Sequence, residues 1–282
     1  MAIRDILFHL DTSELAQSVS DFAISLADVT GAHLTAAGVV IEYPPPAADL
    51  GGFTTGWDFS SAQVFAEISD RNRKAAEGAY ERLATAVSSS VQTELVIIQA
   101  LQEIARDEFG RLARRFDLSV VSQGTPETGL DEQLMISSAL FASGRPVFIV
   151  PSTHKGPAKL EKAMVCWDGG VQAARALAES LPLLSRARSV EVVCVRCKGQ
   201  TVERLPGFNI TRHLSRHGIA ATLRELPPAD DVGSAILSHA ADSAADYIVI
   251  GAYGHWRLRE LIFGGTTRTI LTSTMVPAFM AH

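Results

Sequence analysis

Two stretches of the chain, 157 positions apart, carry one pattern. "DILFHLDTSELAQSVSDF" and "AMVCWDGGVQAARALAES" are each an apolar run that ends in an aspartate, Asp11 or Asp168, and continues through small residues into an amphipathic segment. In the first, Leu15, Val19, Phe22, Leu26 and Val29 fall at helical spacing; in the second, Val171, Ala174, Leu177, Leu181 and Leu184 do. A second pair of stretches, "FDLSVVS" (116–122) and "ADYIVIG" (245–251), matches at an offset of 129. The two offsets differ by 28 residues, so the first copy carries extra length between its matched parts. "EYPPPAADLGGFTTGWDFSSAQ" (42–63), rich in proline, glycine and aromatics, has no counterpart in the second copy and is expected to form an exposed loop. An internal repeat explains the length and both offsets together.

Within each copy, short apolar runs alternate with helical stretches. In the first they are 3–10, 35–41, 93–99, 118–122 and 146–151. This alternation predicts a parallel sheet covered by helices on both faces. The expected fold class is therefore α/β, with two tandem five-stranded parallel-sheet domains, 1–151 and 161–282, joined by the polar stretch "PSTHKGPAKLEK". Each copy alone would leave an edge strand and an apolar surface, so the halves are expected to pack as an internal pseudo-dimer through their final strands, in "PVFIVP" and "VPAFMAH". Tyr43, Phe53, Trp57 and Phe59 of the insertion are expected to cover part of that interface or the vacant pocket of the first copy.

Charge and cysteine content narrow the function. A net charge of −6 lacks the clustered basic surface of a nucleic-acid binder. No apolar run approaches a membrane span, and "MAIRDILFHLD" puts charges into its apolar stretch, unlike a signal peptide. Three cysteines are too few for a disulfide scaffold, and a cytoplasmic location is expected. Cys194 and Cys197 in "CVRC" have a redox-motif spacing but lie in or at the end of an apolar strand rather than at a helix N-terminus, where a thiolate would be stabilised. His213 and His217, four apart on a helix, lack the glutamate of a zinc-protease motif and read as a solvated helix end closed by Gly218, so no metal ligands are assigned. Neither a P-loop nor a serine-hydrolase elbow occurs in the sequence.

The densest candidate site is "GAYGHWRLRELIFGGTT", residues 251–267, which leaves the fourth strand of the second copy and runs into a helix. Ligands of open α/β sheets bind beyond the carboxyl ends of the strands, and a helix N-terminus there offers unpaired N–H groups to an anion. Gly251 and Gly254 would let the backbone approach a ligand or take a positive φ, and Gly264 and Gly265 would leave the helix start uncovered. Thr266 and Thr267 add hydroxyls; Arg257 and Arg259 supply charge nearby, and His255 could touch a phosphate or hold the loop.

Gly251-x2-Gly254-x9-Gly264, followed by small and hydroxyl residues, resembles the ATP-binding signature of the universal stress protein family, and Asp168 in "VCWDGG" resembles that family's adenine-side aspartate. The resemblance covers almost the whole chain as two copies. It implies Rossmann-like sheets of order 3-2-1-4-5, ATP as ligand, with Mg or Mn carried through its phosphates where a metal takes part, and a regulatory or stress-survival role. An unidentified protein partner and a homodimer fit the same picture. One departure is Gly265, where the family usually has serine; the backbone N–H survives the change and one hydroxyl is lost unless Thr266 or Thr267 replaces it. The first copy departs further. Depending on the register, Gly264 and Gly265 fall on Met135 and Ile136 or on Gln133 and Leu134, and "QGTPETGLDEQL" has three acids and no base. The reading is therefore a binding protein with one nucleotide site, in the second copy. Slow ATP hydrolysis and a ligand-free scaffold are its alternatives, since the loop offers backbone, hydroxyls and arginines but no base placed for water.

Overall fold

The computed structural model describes residues 2–10, 12, 16–42, 59–123, 129–195, 209–252 and 265–282. In chain order the first half contains β1 (Asp5–Leu10), α1 (Ala16–Thr30), β2 (His33–Glu42), α2 (Phe59–Ala86), β3 (Thr93–Leu101), α3 (Gln102–Ala113), β4 (Leu118–Ser122), α4 (Gly129–Ser137) and β5 (Val147–Val150). A π-helical turn, Ser138–Ala142, separates α4 from β5. The second half contains β6 (Lys162–Cys166), α5 (Val171–Leu184), β7 (Ser189–Val195), α6 (Ile210–Arg216), β8 (Ala221–Leu226), α7 (Val232–Asp242), β9 (Tyr247–Gly251), α8 (Gly265–Ser273) and β10 (Ala278–Ala281).

The strands form one ten-stranded sheet, ordered β3-β2-β1-β4-β5-β10-β9-β6-β7-β8. Each half runs 3-2-1-4-5, and the two expected sheets are continuous with each other. All pairings are parallel except the joint, where β5 and β10 run antiparallel with Phe148 opposite Phe279. These two residues stand 131 positions apart, the same offset as Pro146 and Pro277, so an internal two-fold axis passes between them. Helices cover both faces. Ile6, Phe8 and Leu10 of β1 point into the core beneath α1, α2, α5 and α6; Leu7 points into the other, beneath α3, α4, α7 and α8. The alternation follows from the two-residue period of a strand.

Burial explains the short strands. Every residue of β4, β5 and β10 is buried; β5 and β10 accordingly read as unbroken apolar runs, and β4 buries Ser119 and Ser122 among its apolar residues. The helices depart in part from their expected faces. Val19, Phe22 and Leu26 of α1 are buried, but Val29 is 44% exposed. In α5 the buried stripe is Ala173, Ala176, Leu177, Ser180, Leu183 and Leu184, whereas Val171 is 79% exposed. The expected α5 stripe is thus displaced by one residue at its start: Ala173 of the first turn is buried against the protein, and Val171 faces solvent.

Two further expectations change. The insertion is not all loop: Phe59 already belongs to α2, which runs 28 residues against 7 in α6, so part of the surplus length is helix. Tyr43, Phe53 and Trp57 lie outside the described residues. The polar connection between halves is packed onto the first of them. Leu160 is buried, the Ala158 N–H donates to Ser25 Oγ, and the His154 ring stands edge-on to Phe22 at 5.4 Å.

A paired device recurs at the amino edges. Asp117 Oδ2 accepts from the N–H groups of Arg4 and Asp5 at 2.8 and 3.2 Å. Asp246, 129 positions later, accepts from Glu161 and Lys162 at 3.0 and 2.8 Å. Each carboxylate pins the start of a half's first strand to the start of its fourth.

Two outcomes follow from this packing. Phe148 lies against Phe22, Tyr247 and Phe279 with ring centroids 5.2, 5.9 and 5.4 Å away, so Phe148→Ala should cost ~3–5 kcal/mol of unfolding free energy in a denaturant titration. Burial holds the His154 imidazole below its ordinary pKa of 6.5, and its Nε2 is enclosed without a hydrogen-bond partner among the described residues. The folded state therefore keeps the neutral ring while the unfolded chain takes up a proton below that pH. The contribution is complete above 6.5 and is lost as pH falls towards the depressed folded value. Comparing melting curves from pH 7.5 to about 5, His154→Phe should show a shallower loss of stability than the unaltered protein.

Candidate nucleotide site

The site is built where the winding of the second half reverses, between the carboxyl ends of β6 and β9. Val165 pairs with Val249, so Asp168 and Gly251 leave neighbouring strands at the same edge. From this edge α5 covers one face of the sheet and α8 the other. That division of connections opens a crevice at a topological switch point.

On the β6 side the turn is ordered by its own aspartate. Asp168 is exposed, and its Oδ1 accepts the N–H of Gly170 at 2.7 Å. Gly169, with φ +76°, takes the left-handed conformation that glycine adopts at least cost. Gly170 is then the N-cap of α5, with extended backbone angles, and its carbonyl accepts from Ala174 at 3.0 Å. Asp168 therefore shapes the helix entry through one oxygen and presents the rest of its carboxylate to solvent.

On the β9 side Gly251 has a packing role that its sequence pattern did not disclose. A Cβ built there would lie 2.5 Å from both the Ala173 amide nitrogen and the Gln172 carbonyl carbon. Its φ is not in the positive range. The glycine lets the first turn of α5 seat directly on the strand end. Ala252 follows, with its N–H on the Ala281 carbonyl at 2.8 Å and its own carbonyl accepting from His282 Nδ1 at 3.0 Å.

Gly254, His255, Arg257, Arg259 and Gly264 lie outside the described residues. The structure resumes at the helix. Gly265 is exposed, a Cβ there would meet no atom of the described residues within 4 Å, and its φ is not in the positive range, so neither the described neighbours nor the backbone angle requires glycine. Thr266 is half-buried. Thr267, expected as a hydroxyl for the ligand, is buried at 5% exposure and faces the protein.

Sequence reasoning missed the support behind α8. Asp231 N-caps α7, with Oδ1 accepting from the Gly233 N–H at 3.0 Å and Oδ2 from Ser234 Oγ at 2.6 Å; Thr269 Oγ1 of α8 approaches Oδ2 at 3.4 Å. These donors, Ser234 first, hold the Asp231 carboxyl below its ordinary pKa. A Cβ on Gly233 would stand 2.6 Å from Thr269 Cβ, so this glycine sets how closely α7 and α8 approach. A glycine two residues after "DD" at the start of a helical run was the available signal.

The first half is built differently at its corresponding edge. Asp11 lies outside the described residues. Gln133, Leu134, Met135 and Ile136, the positions that match Gly264 and Gly265 in either register, all lie within α4 (Gly129–Ser137). From Gln133 onward their N–H groups are committed to carbonyls four residues back. Met135 and Ile136 are in addition core residues, each 2% exposed.

The other motifs settle as follows. Cys194 is a buried strand residue of β7, and Cys197 lies outside the described residues. Cys166 is buried, and burial pushes its thiol up to about 12. His213 and His217 are both exposed at the end of α6, with Gly218 beyond them at φ +75°.

No protein-family model matches the chain. A universal stress protein of Synechocystis sp. is 42% identical over 43 residues, a match that spans 15% of this chain and 15% of that protein. Among solved structures, a universal stress protein from Archaeoglobus fulgidus superposes with a TM-score of 0.72 at 16% identity, covering 98% of this chain and 97% of that one. A functionally unknown protein from Pseudomonas aeruginosa superposes with a TM-score of 0.58 at 17% identity, covering 99% and 92%. The chain has a tandem α/β fold with a mostly parallel sheet, and that fold is the one seen in a universal stress protein over nearly its entire length. Among the described residues no helix is long and apolar enough to cross a membrane.

The two described glycines of the loop should respond oppositely to one methyl group. Gly251→Ala should lose ~1–3 kcal/mol by forcing α5 off the strand end. Gly265→Ala, which meets no described atom, should be neutral or stabilising by up to ~1 kcal/mol. Chemical denaturation of both variants compares them directly.

Proposed function

We propose that this chain is a universal stress protein that binds one adenine nucleotide, in its second half, and acts as a regulatory binding protein rather than as an efficient enzyme. The observation that carries the reading is Gly265. Among the described residues nothing needs a glycine there, yet the residue stands at the described start of α8 with no described atom over its backbone. A phosphate held by backbone N–H groups needs that access. The ligand is ATP, with its phosphates at Gly264, Gly265 and Thr266 beside Gly254 and His255, and its adenine or ribose near Asp168. Thr267, buried, supports the helix from within. Where Mg or Mn takes part, it enters through the phosphates. The domains are 1–151 and 161–282, and the first is read as lacking a phosphate site, a reading supported by α4, which among the described residues occupies the matching positions.

Calorimetric titration with ATP tests the proposal. One nucleotide per chain is expected. Gly264→Val should weaken binding at least about tenfold, since the loss of even one charge-assisted hydrogen bond is worth ~1.5–3 kcal/mol. Asp168→Ala should also weaken it, whereas Asp11→Ala should leave affinity unchanged. Two nucleotides per chain, or equal losses at Asp11 and Asp168, would overturn the single-site reading. Turnover measured with and without a divalent cation separates binding from slow hydrolysis.

A further inference from the structure

The antiparallel joint has a topological result. Val147, at the start of β5, stands opposite Met280, near the end of β10. The turn that leads into β5 from the first half is therefore delivered to the carboxyl edge of the second half, beside Gly251 and the start of α5. The Phe141 ring of the π-helical turn stands edge-on to His282, with centroids 4.9 Å apart, and His282 Nδ1 donates to the Ala252 carbonyl at 3.0 Å. Three residues on, the carbonyl of Gly144, at φ +70°, accepts from Arg175 Nη2 of α5 at 2.8 Å. One turn of the first half thus holds both elements that border the candidate site, the end of β9 and the helix that begins at Gly170.

The arrangement is one-sided. The internal two-fold relates Phe141 to Thr272, Gly144 to Met275 and His282 to Pro151, while the repeat offset relates Arg175 to Ser18. The opposite corner has neither an imidazole donor nor a guanidinium at these places. Among the described residues, the opposite edge is joined by other contacts, such as Gln123 Nε2 to the Leu271 carbonyl, and the imidazole–guanidinium pair stands at the edge whose sequence keeps the glycines.

We propose that the 141–144 turn of the first half is a positioning element for the second half's site, acting through His282 and Arg175, so that the first half tunes ligand affinity in the second. The proposal rests on the nucleotide reading above. Because His282 faces a carbonyl, its Nδ1 must carry the proton, and an asparagine amide can replace that donor.

The experiment compares ATP affinity with melting temperature in full-length variants. His282→Ala and Arg175→Ala should each weaken ATP binding about fivefold with melting temperatures within about 2 °C of the parent. His282→Asn should return to within about twofold. Parental affinity in His282→Ala, or a loss that His282→Asn does not reverse, overturns the proposal. Should His282→Ala fail to fold, Phe141→Ala carries the test, with the same weakening expected and unchanged affinity counting against it. If the parent binds no ATP, the nucleotide reading fails by itself, and hydrogen exchange at the Ala252 amide decides the positioning role. Exchange about tenfold faster in His282→Ala and restored in His282→Asn supports it; unchanged exchange overturns it.

Discussion

The pairing of β5 with β10 is the constraint from which the rest of the architecture follows. Each strand is four residues long and wholly buried, so neither could end a sheet in water without exposing apolar side chains and a row of unpaired backbone groups. Joining them edge to edge removes both liabilities at once. The joint is antiparallel because the two halves meet about a two-fold axis between Phe148 and Phe279, and a two-fold relation reverses chain direction. Asymmetry elsewhere is then functional information, since the fold itself treats the halves alike.

The reversal also distributes the sites. Strands of the two halves run in opposite directions, so their carboxyl edges lie on opposite sides of the common sheet. One half's site cannot merge with the other's, but each half's pre-β5 or pre-β10 turn reaches the other's carboxyl edge. At the first half's edge Gln123 Nε2 donates to the Leu271 carbonyl of α8 at 2.9 Å. At the second, Ala252 occupies the matching position and a residue from the end of β10 reaches it instead. The same geometry thus yields two corners with different chemistry.

The glycines of this chain divide by what surrounds them. Gly251 and Gly233 are required because backbone or side chain of a neighbouring element fills the place of a Cβ, and both serve helix packing. Gly169, Gly144 and Gly218 satisfy left-handed turns. Gly265 belongs to neither group, which is why it weighs more than the rest of the motif in assigning a ligand. A glycine signature read as a single functional unit is, in the folded chain, a mixture of packing and access.

Much of this was legible in the residues themselves. The repeat, nine of the strand runs, the 3-2-1-4-5 order implied by resemblance and the pairing of the final strands are set by local apolar runs and by strand ends that need cover, and both leave a periodic mark on the sequence; β8, ATLREL, is largely exposed and left no such mark. Even the paired aspartates, Asp117 and Asp246, stood in view at the same place in "FDLSVVS" and "ADYIVIG". What the sequence could not disclose depended on distant neighbours. The packing role of Gly251 arises from α5, roughly 80 residues away, and the exposure of Val171 from the turn of that helix, which buries Ala173 instead. The burial of Thr267 in α8 did not show in its sequence position, and the link from Phe141 to Ala252 exists because an antiparallel joint carries a turn across the molecule. Periodicity records which side of an element is buried, whereas the identity of what lies against it is fixed only when elements far apart in the chain are brought together.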